Sequence, residues 1–441
     1  MKWNKGLMAG AAAVAAACMA LSGCGGASSS GSGGSSTSSS STGGKVEITY
    51  IHRLPDKSGM TSVEQIVSRW NKENPNIQVK SIHFNGNASD LIKKLETDVK
   101  AGNAPDLAQA GYSEIPELFT KGLLEDVTAE ADQYKGDFAE GPYGNMTIGG
   151  KTFGLPQDTG PLVYYYNKAE FDKLGISVPK TQSELIESAK KAAAQGKYIM
   201  SFQADEAGNM LSGLAGASGP WYTVENDAWK VDTQTSGSKA VAKVYQQLLD
   251  DKAATTNPRW DPSFDASLQK GELIGTIGAA WEAPLLMDSM ADKGKGDWRV
   301  AQIGDWFDNG EKTGPDGGSG VVALKGIEHK AEAMKFLDWF NTQIDDLTSQ
   351  GLVVAATTGS AKTPASWSEF YGGQDVMAEF ATANGNLASF SYIPGFSAVD
   401  TAMKEKAADA ADGKAKVETI FDAAQTASVD TLKDYGLSVA Q

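Results

Sequence analysis

The run from Gly25 to Gly44 contains only glycine, serine, alanine and threonine, and it limits which part of the chain can fold. Such a segment has almost no apolar surface to bury, so we expect it to be disordered. A flexible Gly/Ser coil of this length has a root-mean-square span of roughly 25 Å. The sequence therefore predicts a tether over residues 25–44 and a folded body from Lys45 to Gln441.

The residues before the tether have the layout of a secretory leader. Lys2 and Lys5 precede an apolar run from Leu7 to Leu21, and Ser22-Gly23-Cys24 follows. The run is short of the roughly 20 residues that a membrane-spanning helix needs. Leu-Ser-Gly-Cys resembles a bacterial lipobox, which implies that Cys24 carries a lipid and becomes the mature N-terminus. We expect residues 1–24 to be a lipoprotein signal peptide. The body is then held at the outer face of the cytoplasmic membrane, as in Gram-positive cells.

Charge and cysteine content restrict the possible partners and chemistry. The net charge of −16, with only four arginines, disfavours nucleic acid, because the protein would repel phosphates. Cys18 leaves with the leader and Cys24 is the predicted lipid site, so the mature body has no disulfide and no cysteine metal ligand. The remaining length predicts two domains.

Strand and helix patterns alternate along the first part of the body. Val46 to Ile51 alternates as a strand does, and Ile77 to Phe84 predicts a second strand. Thr61-x-x-Glu64 predicts a capping box at the start of the helix between them. Strands that alternate with helices predict an α/β fold with largely parallel sheets.

The same alternation continues in the second half. Tyr198 to Phe202 and the glycine-rich Ile274 to Ala280 are predicted strands. His329 to Thr348 has the periodicity of one long amphipathic helix, and the chain after Ser366 is mostly helical in pattern.

Motifs typical of common enzymes are missing. The three histidines form no His-Glu-x-x-His pair, and neither a Gly-x-Ser-x-Gly elbow nor a Walker loop is present. Gly318-x-Gly320-x-x-Ala323 imitates a dinucleotide fingerprint, but it enters a predicted strand instead of following one. With 55 acidic residues, a carboxylate pair for glycoside hydrolysis stays possible.

Several of the ten tryptophans and other aromatic residues lie at loop-like breaks. A flat ring beside polar groups suits a sugar, because the ring packs on C–H groups while carboxylates and amides bind hydroxyls. Packing in a core is the other interpretation, and we prefer it for Trp70 and Trp339 on helix faces. The candidate ring residues at breaks are Trp221, Trp281, Trp306, Tyr392 and Phe396.

Polar candidates lie where predicted strands end, which is where ligands bind in open α/β sheets. Each of them alone is more typical of a turn or a helix cap, but their shared position supports a common site. These residues are His52, Arg53, Asn87, Gln109, Tyr112, Gln157, Asp158, Asp316 and Ser319.

Several loose motifs follow one another along the chain, at residues 101–106, 152–158, 162–168, 275–281 and 331–342. Their order resembles that in a bacterial solute-binding lipoprotein of an ABC importer, of the oligosaccharide-binding kind found in bifidobacteria. Residues 101–106 (Ala-Gly-Asn-Ala-Pro-Asp) resemble the loop into the third strand of that family. Residues 152–158 and 162–168 are similar to its crossing segment. Residues 275–281 resemble the strand that delivers a binding-site tryptophan, and 331–342 resemble its Phe-Leu-x-Trp-Phe helix.

The resemblance implies a two-lobe, periplasmic-binding-protein-like α/β fold with a hinge and a cleft. Lobe 1 would hold residues 45–157 and 320–365, and lobe 2 residues 158–319 and 366–441. An oligosaccharide would bind in the cleft, the lobes would close over it, and a membrane permease would accept it without catalysis or cofactor. We expect a monomer. Trp221, Trp281 and Phe396 would stack on sugar rings, and Asp158, Asn87, Gln109, Tyr112, Asp316 and Ser319 would bind hydroxyls.

Two alternatives belong to other classes. A membrane-anchored glycoside hydrolase would need two carboxylates roughly 5 to 9.5 Å apart across the cleft. A peptide or metal binder is the second, although the few histidines disfavour metal.

Overall fold

The computed structural model describes residues 45–57, 60–291 and 293–440. The predicted leader, Cys24 and the predicted tether lie outside these residues. The strands are β1 (Val46–His52), β2 (Ile77–His83), β3 (Leu107–Gly111), β4 (Thr147–Ile148), β5 (Lys151–Thr152), β6 (Gly154–Pro156), β7 (Asp158–Thr159), β8 (Leu162–Asn167), β9 (Tyr222–Glu225), β10 (Ala228–Val231), β11 (Gly275–Ala279), β12 (Trp298–Ala301), β13 (Ser319–Ala323) and β14 (Val353–Val354).

Helices surround the two main sheets. They are α1 (Val63–Glu73), α2 (Ala88–Ala101), α3 (Ile115–Thr120), α4 (Thr128–Ala131), α5 (Glu140–Asn145), α6 (Lys168–Leu174), α7 (Gln182–Ala193), α8 (Ser212–Gly216), α9 (Ser236–Asp250), α10 (Pro262–Gln269), α11 (Ala283–Met290), α12 (Lys330–Asn341), α13 (Ile344–Ser349), α14 (Ala365–Phe370), α15 (Val376–Gly385), α16 (Phe396–Ala411) and α17 (Glu418–Asp434). Within the described part of the chain, no helix combines the length and the apolar character needed to cross a bilayer.

The larger sheet has the strand order β2-β1-β3-β13-β6. β1 runs parallel to β2 and β3, whereas β13 is antiparallel to β3 and β6. Ser319, the first residue of β13, therefore pairs with Gly111 at the end of β3. The carboxyl ends of β1, β3 and β6 and the start of β13 meet at one edge, and polar loop residues collect there.

The smaller sheet is antiparallel, with β8 between β11 and β12. The prediction of largely parallel sheets is therefore wrong outside β1, β2 and β3, although the α/β class is confirmed. The antiparallel pairs arise because β13, β11 and β12 come from distant parts of the chain and are not joined to their neighbours by βαβ crossovers. Between the two sheets β7 pairs with β14, which brings the segments around Asp158 and Val354 side by side.

Buried side chains form cores on both faces of the larger sheet. One core packs Ile48 and Tyr50 of β1 against Trp70 of α1 and Phe336 of α12. A larger core on the other face runs without a break to the rings around Trp221. A third core lies against the smaller sheet and includes Tyr165 and Trp298. These cores hold the strand ends in fixed positions.

The capping box of α1 lies one residue later than predicted. The Ser62 hydroxyl accepts from the backbone N–H of Gln65 at 3.2 Å, and the Gln65 side chain accepts from the N–H of Ser62 at 2.9 Å. The backbone N–H of Thr61 is engaged elsewhere, by the Ser349 hydroxyl at 2.8 Å. Two overlapping capping patterns occur in this sequence, and the tertiary contact of Thr61 favours the second.

Two further predictions of secondary structure are wrong. Residues 198–202 form no continuous strand, because Tyr198 bridges to Leu273 while Ser201 bridges to Thr255 in a different segment. The predicted single helix over 329–348 is two helices, α12 and α13. The break follows Asn341, whose amide donates to the backbone carbonyl of Pro156 at 3.0 Å and so ties the end of α12 to β6.

Candidate functional site

A cavity of about 380 Å³ lies at the edge where the strands of the larger sheet end. We call it the Trp281 cavity. Its lining includes Arg53, Gly86, Gln109, Asp158, Trp281 and Ser319. Arg53 directly follows β1, Gln109 lies in β3, and Ser319 begins β13. Trp281 is supplied by the smaller sheet, in the turn after β11. The cavity thus combines residues of both sheets.

Asp158 lies buried in the wall of this cavity. Ser319 donates its backbone N–H to Oδ1 of Asp158 at 2.8 Å, and its hydroxyl donates to the same atom. Burial raises the pKa of Asp158 to about 7, although these two hydrogen bonds act in the opposite direction. Among the described residues both donors meet Oδ1, so Oδ2 is available to a ligand.

A buried polar network supports the same wall. Gln109 accepts from the backbone N–H of Arg53 at 2.7 Å and donates to the Gln157 side-chain oxygen at 3.0 Å. The Gln157 amide in turn donates to Asn341 at 3.1 Å. Because a buried amide left without partners costs free energy, this network holds Gln109 in one orientation.

Arg53 forms a two-point contact with Glu114 at the mouth of the Trp281 cavity. One guanidinium nitrogen donates to both carboxylate oxygens, at 2.7 and 2.9 Å. The Nε atom of Arg53 is buried and has no hydrogen-bond partner in the described structure. The pair therefore presents a fixed polar group to the cavity.

A second cavity, of about 260 Å³, adjoins the first at Gly317. We call it the Tyr392 cavity, and its lining includes Tyr112, Asn145, Thr159, Asn384, Phe390 and Tyr392. The Tyr112 hydroxyl donates to the backbone carbonyl of Asp158 at 2.9 Å, so Tyr112 and Asp158 form part of the wall between the two cavities. The Thr159 hydroxyl donates to Asn384 at 2.7 Å on the far side.

The structure brings six of the eleven predicted site residues to these two cavities. Trp281, Asp158, Gln109 and Ser319 line the first, and Tyr112 and Tyr392 line the second.

The other five line neither cavity. Asn87 caps α2 by accepting from the N–H of Asp90 at 2.9 Å, next to the lining residue Gly86. Asp316 is buried behind Trp281, and Phe396 lies behind Tyr392, with their ring centroids 5.0 Å apart.

Trp221 and Trp306 are buried among other side chains. The Trp221 indole donates to the Ser238 hydroxyl at 3.1 Å, and its ring contacts Phe390 and Phe421. The Trp306 indole donates to the carbonyl of Pro179 at 2.9 Å. Their sugar contacts stay a prediction, and neither ring belongs to the lining of the two cavities.

Sequence reasoning missed Arg259 and Glu282, which form a buried ion pair beside Trp281. Arg259 is one of the four arginines and Glu282 directly follows Trp281, so the sequence offered both residues as candidates. Their ion pair could not be predicted, because 23 positions separate them and no local pattern joins them.

The fold and the cavities at its strand ends define a two-domain solute-binding protein with a periplasmic-binding-protein-like fold. Residues 55–343 match the family of bacterial extracellular solute-binding proteins, and the chain belongs to that family. Family members bind substrates for ABC transporters and are not catalytic. This membership confirms the prediction of a non-catalytic binding protein and gives no support to the hydrolase alternative.

Solved structures similar to this chain include two sugar-binding proteins. The galacto-N-biose/lacto-N-biose I-binding protein of an ABC transporter from Bifidobacterium longum, in complex with lacto-N-biose, is 67% identical. The match covers 90% of this chain and 100% of that chain, with a TM-score of 0.89. An ABC transporter-associated binding protein of B. animalis subsp. lactis, in complex with β-1,6-galactobiose, is 25% identical with a TM-score of 0.74. That match covers 90% and 100% of the two chains.

Curated relatives are also named as sugar-binding proteins. A maltodextrin-binding protein of Bacillus subtilis is 25% identical over 84% of this chain and 87% of its own length. A maltooligosaccharide ABC transporter solute-binding lipoprotein of Streptococcus pneumoniae is 24% identical over 67% and 69%.

Proposed function

We propose that this protein captures an oligosaccharide outside the cell and delivers it to an ABC transporter permease. The ligand binds between two lobes, residues 45–157 with 320–365 and residues 158–319 with 366–441. The lobes close over it by a hinge motion. The sugar favours the closed state because only that state presents both walls of the cleft to it.

The observation that carries this proposal is the composition of the Trp281 cavity. An indole ring faces the same space as the carboxylate of Asp158, the amide of Gln109 and the hydroxyl of Ser319. A ring surface beside such groups suits a sugar, and the cavity volume is in the range of small-ligand sites. Tyr112 and Tyr392 extend the site into the second cavity, the Phe396 ring packs against Tyr392, and the Asp316 carbonyl accepts from the Trp281 indole. Asn87, Trp221 and Trp306 lie outside the lining of both cavities.

The ligand class follows from the 67% identical relative. That protein was solved with lacto-N-biose and is named for galacto-N-biose and lacto-N-biose I. We propose that disaccharides of this kind are ligands of the present chain. The identity extends over 90% of this chain and the whole of that chain, which supports a shared ligand class.

The location and assembly are also proposals. A lipid on Cys24 would hold the protein at the outer face of the cytoplasmic membrane, with residues 25–44 as the tether. Support comes from the lipobox-like motif and from a lipoprotein among the relatives. We propose that the protein acts as a monomer and delivers the sugar to the permease subunits of the ABC transporter.

The test is calorimetric titration of the purified chain with lacto-N-biose, galacto-N-biose, β-1,6-galactobiose and maltotriose. We expect tight binding of the first two and weaker binding of maltotriose. Absence of binding to every sugar would refute the function, and preference for maltotriose would refute the ligand class. Chromatography of the sugars after incubation should show no shorter products.

A further inference from the structure

A charged cluster lies buried behind Trp281, outside the lining of both cavities. The Arg259 side chain is 2% exposed, and those of Glu282 and Asp316 are 3% exposed. One guanidinium nitrogen of Arg259 lies 2.9 Å from Asp316 Oδ2, and the other contacts Glu282 Oε1. Glu206 lies 4.0 Å from the first nitrogen. Four separate segments are thus joined by one buried cation.

This cluster contacts Trp281 in two ways. The guanidinium carbon of Arg259 lies 5.3 Å from the centroid of the Trp281 ring, which is the geometry of a cation–π contact. The Trp281 indole donates to the backbone carbonyl of Asp316 at 2.9 Å. The ring is therefore held on one face and at its nitrogen.

Glu282 extends the same arrangement to the backbone. It follows Trp281 in the chain, and its Oε1 accepts from the backbone N–H of Ala279 at 2.6 Å. Since Arg259 contacts the same oxygen, the turn that carries Trp281 is anchored to Arg259 as well. Loss of Arg259 would leave Glu282 and Asp316 as buried carboxyls without their cation, which is strongly unfavourable.

We propose that Arg259 is a positioning residue, which orients the Trp281 ring toward the ligand without touching the ligand itself. The inference rests on the proposed function, because it takes Trp281 as a sugar-contacting residue. A ring fixed before binding loses less conformational freedom when the sugar stacks on it. Arg259 thereby increases the affinity by holding the Trp281 ring in its binding orientation before the sugar arrives.

The experiment compares Arg259→Lys in two backgrounds, the natural chain and Trp281→Phe. Lysine keeps the charge but not the planar, two-point contact. We expect lacto-N-biose affinity to fall about tenfold in the natural background and less than about threefold in the Trp281→Phe background. Arg299→Lys is the matched control. Arg299 bonds the carbonyls of Gly296 and Trp298, lines neither cavity, and should leave affinity unchanged.

A second readout needs no ligand. The difference in fluorescence between each protein and its Trp281→Phe counterpart isolates the emission of Trp281. We expect this emission to shift to longer wavelength in Arg259→Lys, and in Glu282→Gln if the first variant fails to fold. Equal affinity losses in both backgrounds, or an unshifted Trp281 emission, would overturn the proposal. If the natural chain binds no sugar, the proposed function fails while the emission still tests the positioning.

Discussion

Ser319 donates both its backbone N–H and its hydroxyl to one carboxylate oxygen of Asp158. The two residues are 161 positions apart: Asp158 follows the end of β6, and Ser319 begins the neighbouring strand β13. Their contact therefore fixes the position of these two segments relative to each other, and it uses only one of the two carboxylate oxygens of Asp158. We therefore expect the stability of the protein to depend on this pair.

The charge state of Asp158 should make stability depend on pH. Its folded pKa of about 7 lies above the ordinary 3.8, so the folded protein holds a proton that the unfolded chain loses. The contribution of this group is complete below about pH 4 and is lost as the pH rises through 7. Asp158→Asn removes the titration. As the pH rises from 4 to 8, we expect the free energy of unfolding of Asp158→Asn to increase relative to that of the natural protein by on the order of 3 kcal/mol.

Urea unfolding at several pH values measures this difference, and Asp126→Asn is the control. The pKa of Asp126 is lowered to about 2, chiefly by hydrogen bonds from Thr128, so its contribution is lost only as the pH falls through that value. Its variant should differ from the natural protein by a constant amount between pH 5 and 8. A pH-independent difference for Asp158→Asn would contradict the raised pKa.

Trp281→Ala should abolish measurable sugar binding while the protein stays folded. The ring is partly exposed in the cavity, so its loss removes a stacking surface and leaves the cores intact. We expect the dissociation constant to rise by at least about 30-fold in calorimetry. The control is Trp229→Ala, a half-buried tryptophan on β10 that lines neither cavity, and its affinity should be unchanged. Unchanged affinity in Trp281→Ala would remove this ring from the site.

Substitutions of Trp221 should reduce the free energy of unfolding strongly while they change the sugar affinity little. Its ring is 1% exposed and packs among Tyr222, Phe390 and Phe421. Trp221→Ala should cost about 3 to 5 kcal/mol in the free energy of unfolding. Trp221→Phe keeps most of the packing, and we expect its sugar affinity to stay within about threefold of the natural value. A much larger loss of affinity in a folded Trp221→Phe protein would show that this ring contacts the ligand.

Ser62→Ala should destabilise the protein more than Thr61→Ala. The Ser62 hydroxyl caps α1, and loss of such a cap costs about 1 kcal/mol. Thr61 forms its hydrogen bonds to Ser349 and Gln350 through its backbone, so its substitution should cost less than about 0.5 kcal/mol. Urea unfolding of both variants decides between the predicted and the observed capping box. Equal losses would contradict the observed cap.

Much of the fold was predictable because its signals are local. The alternation in β1 and the capping pattern at the start of α1 need only neighbouring residues, and the resemblance adds the order of elements. The break after Asn341 was not predictable, since it depends on hydrogen bonds to Pro156 and from Gln157, both more than 180 positions away.

The candidate site was likewise predictable from the sequence only in part. The sequence alone determined that polar residues follow the strands and that aromatic residues stand at breaks near glycine and proline, because residue type and spacing carry that information. Only the tertiary structure decided that Trp281 lines a cavity whereas Trp221 packs against Phe421, although both rings were predicted to stack on a sugar. Burial is a property of distant segments brought together, so no local pattern could distinguish the two rings or place Arg259 behind one of them.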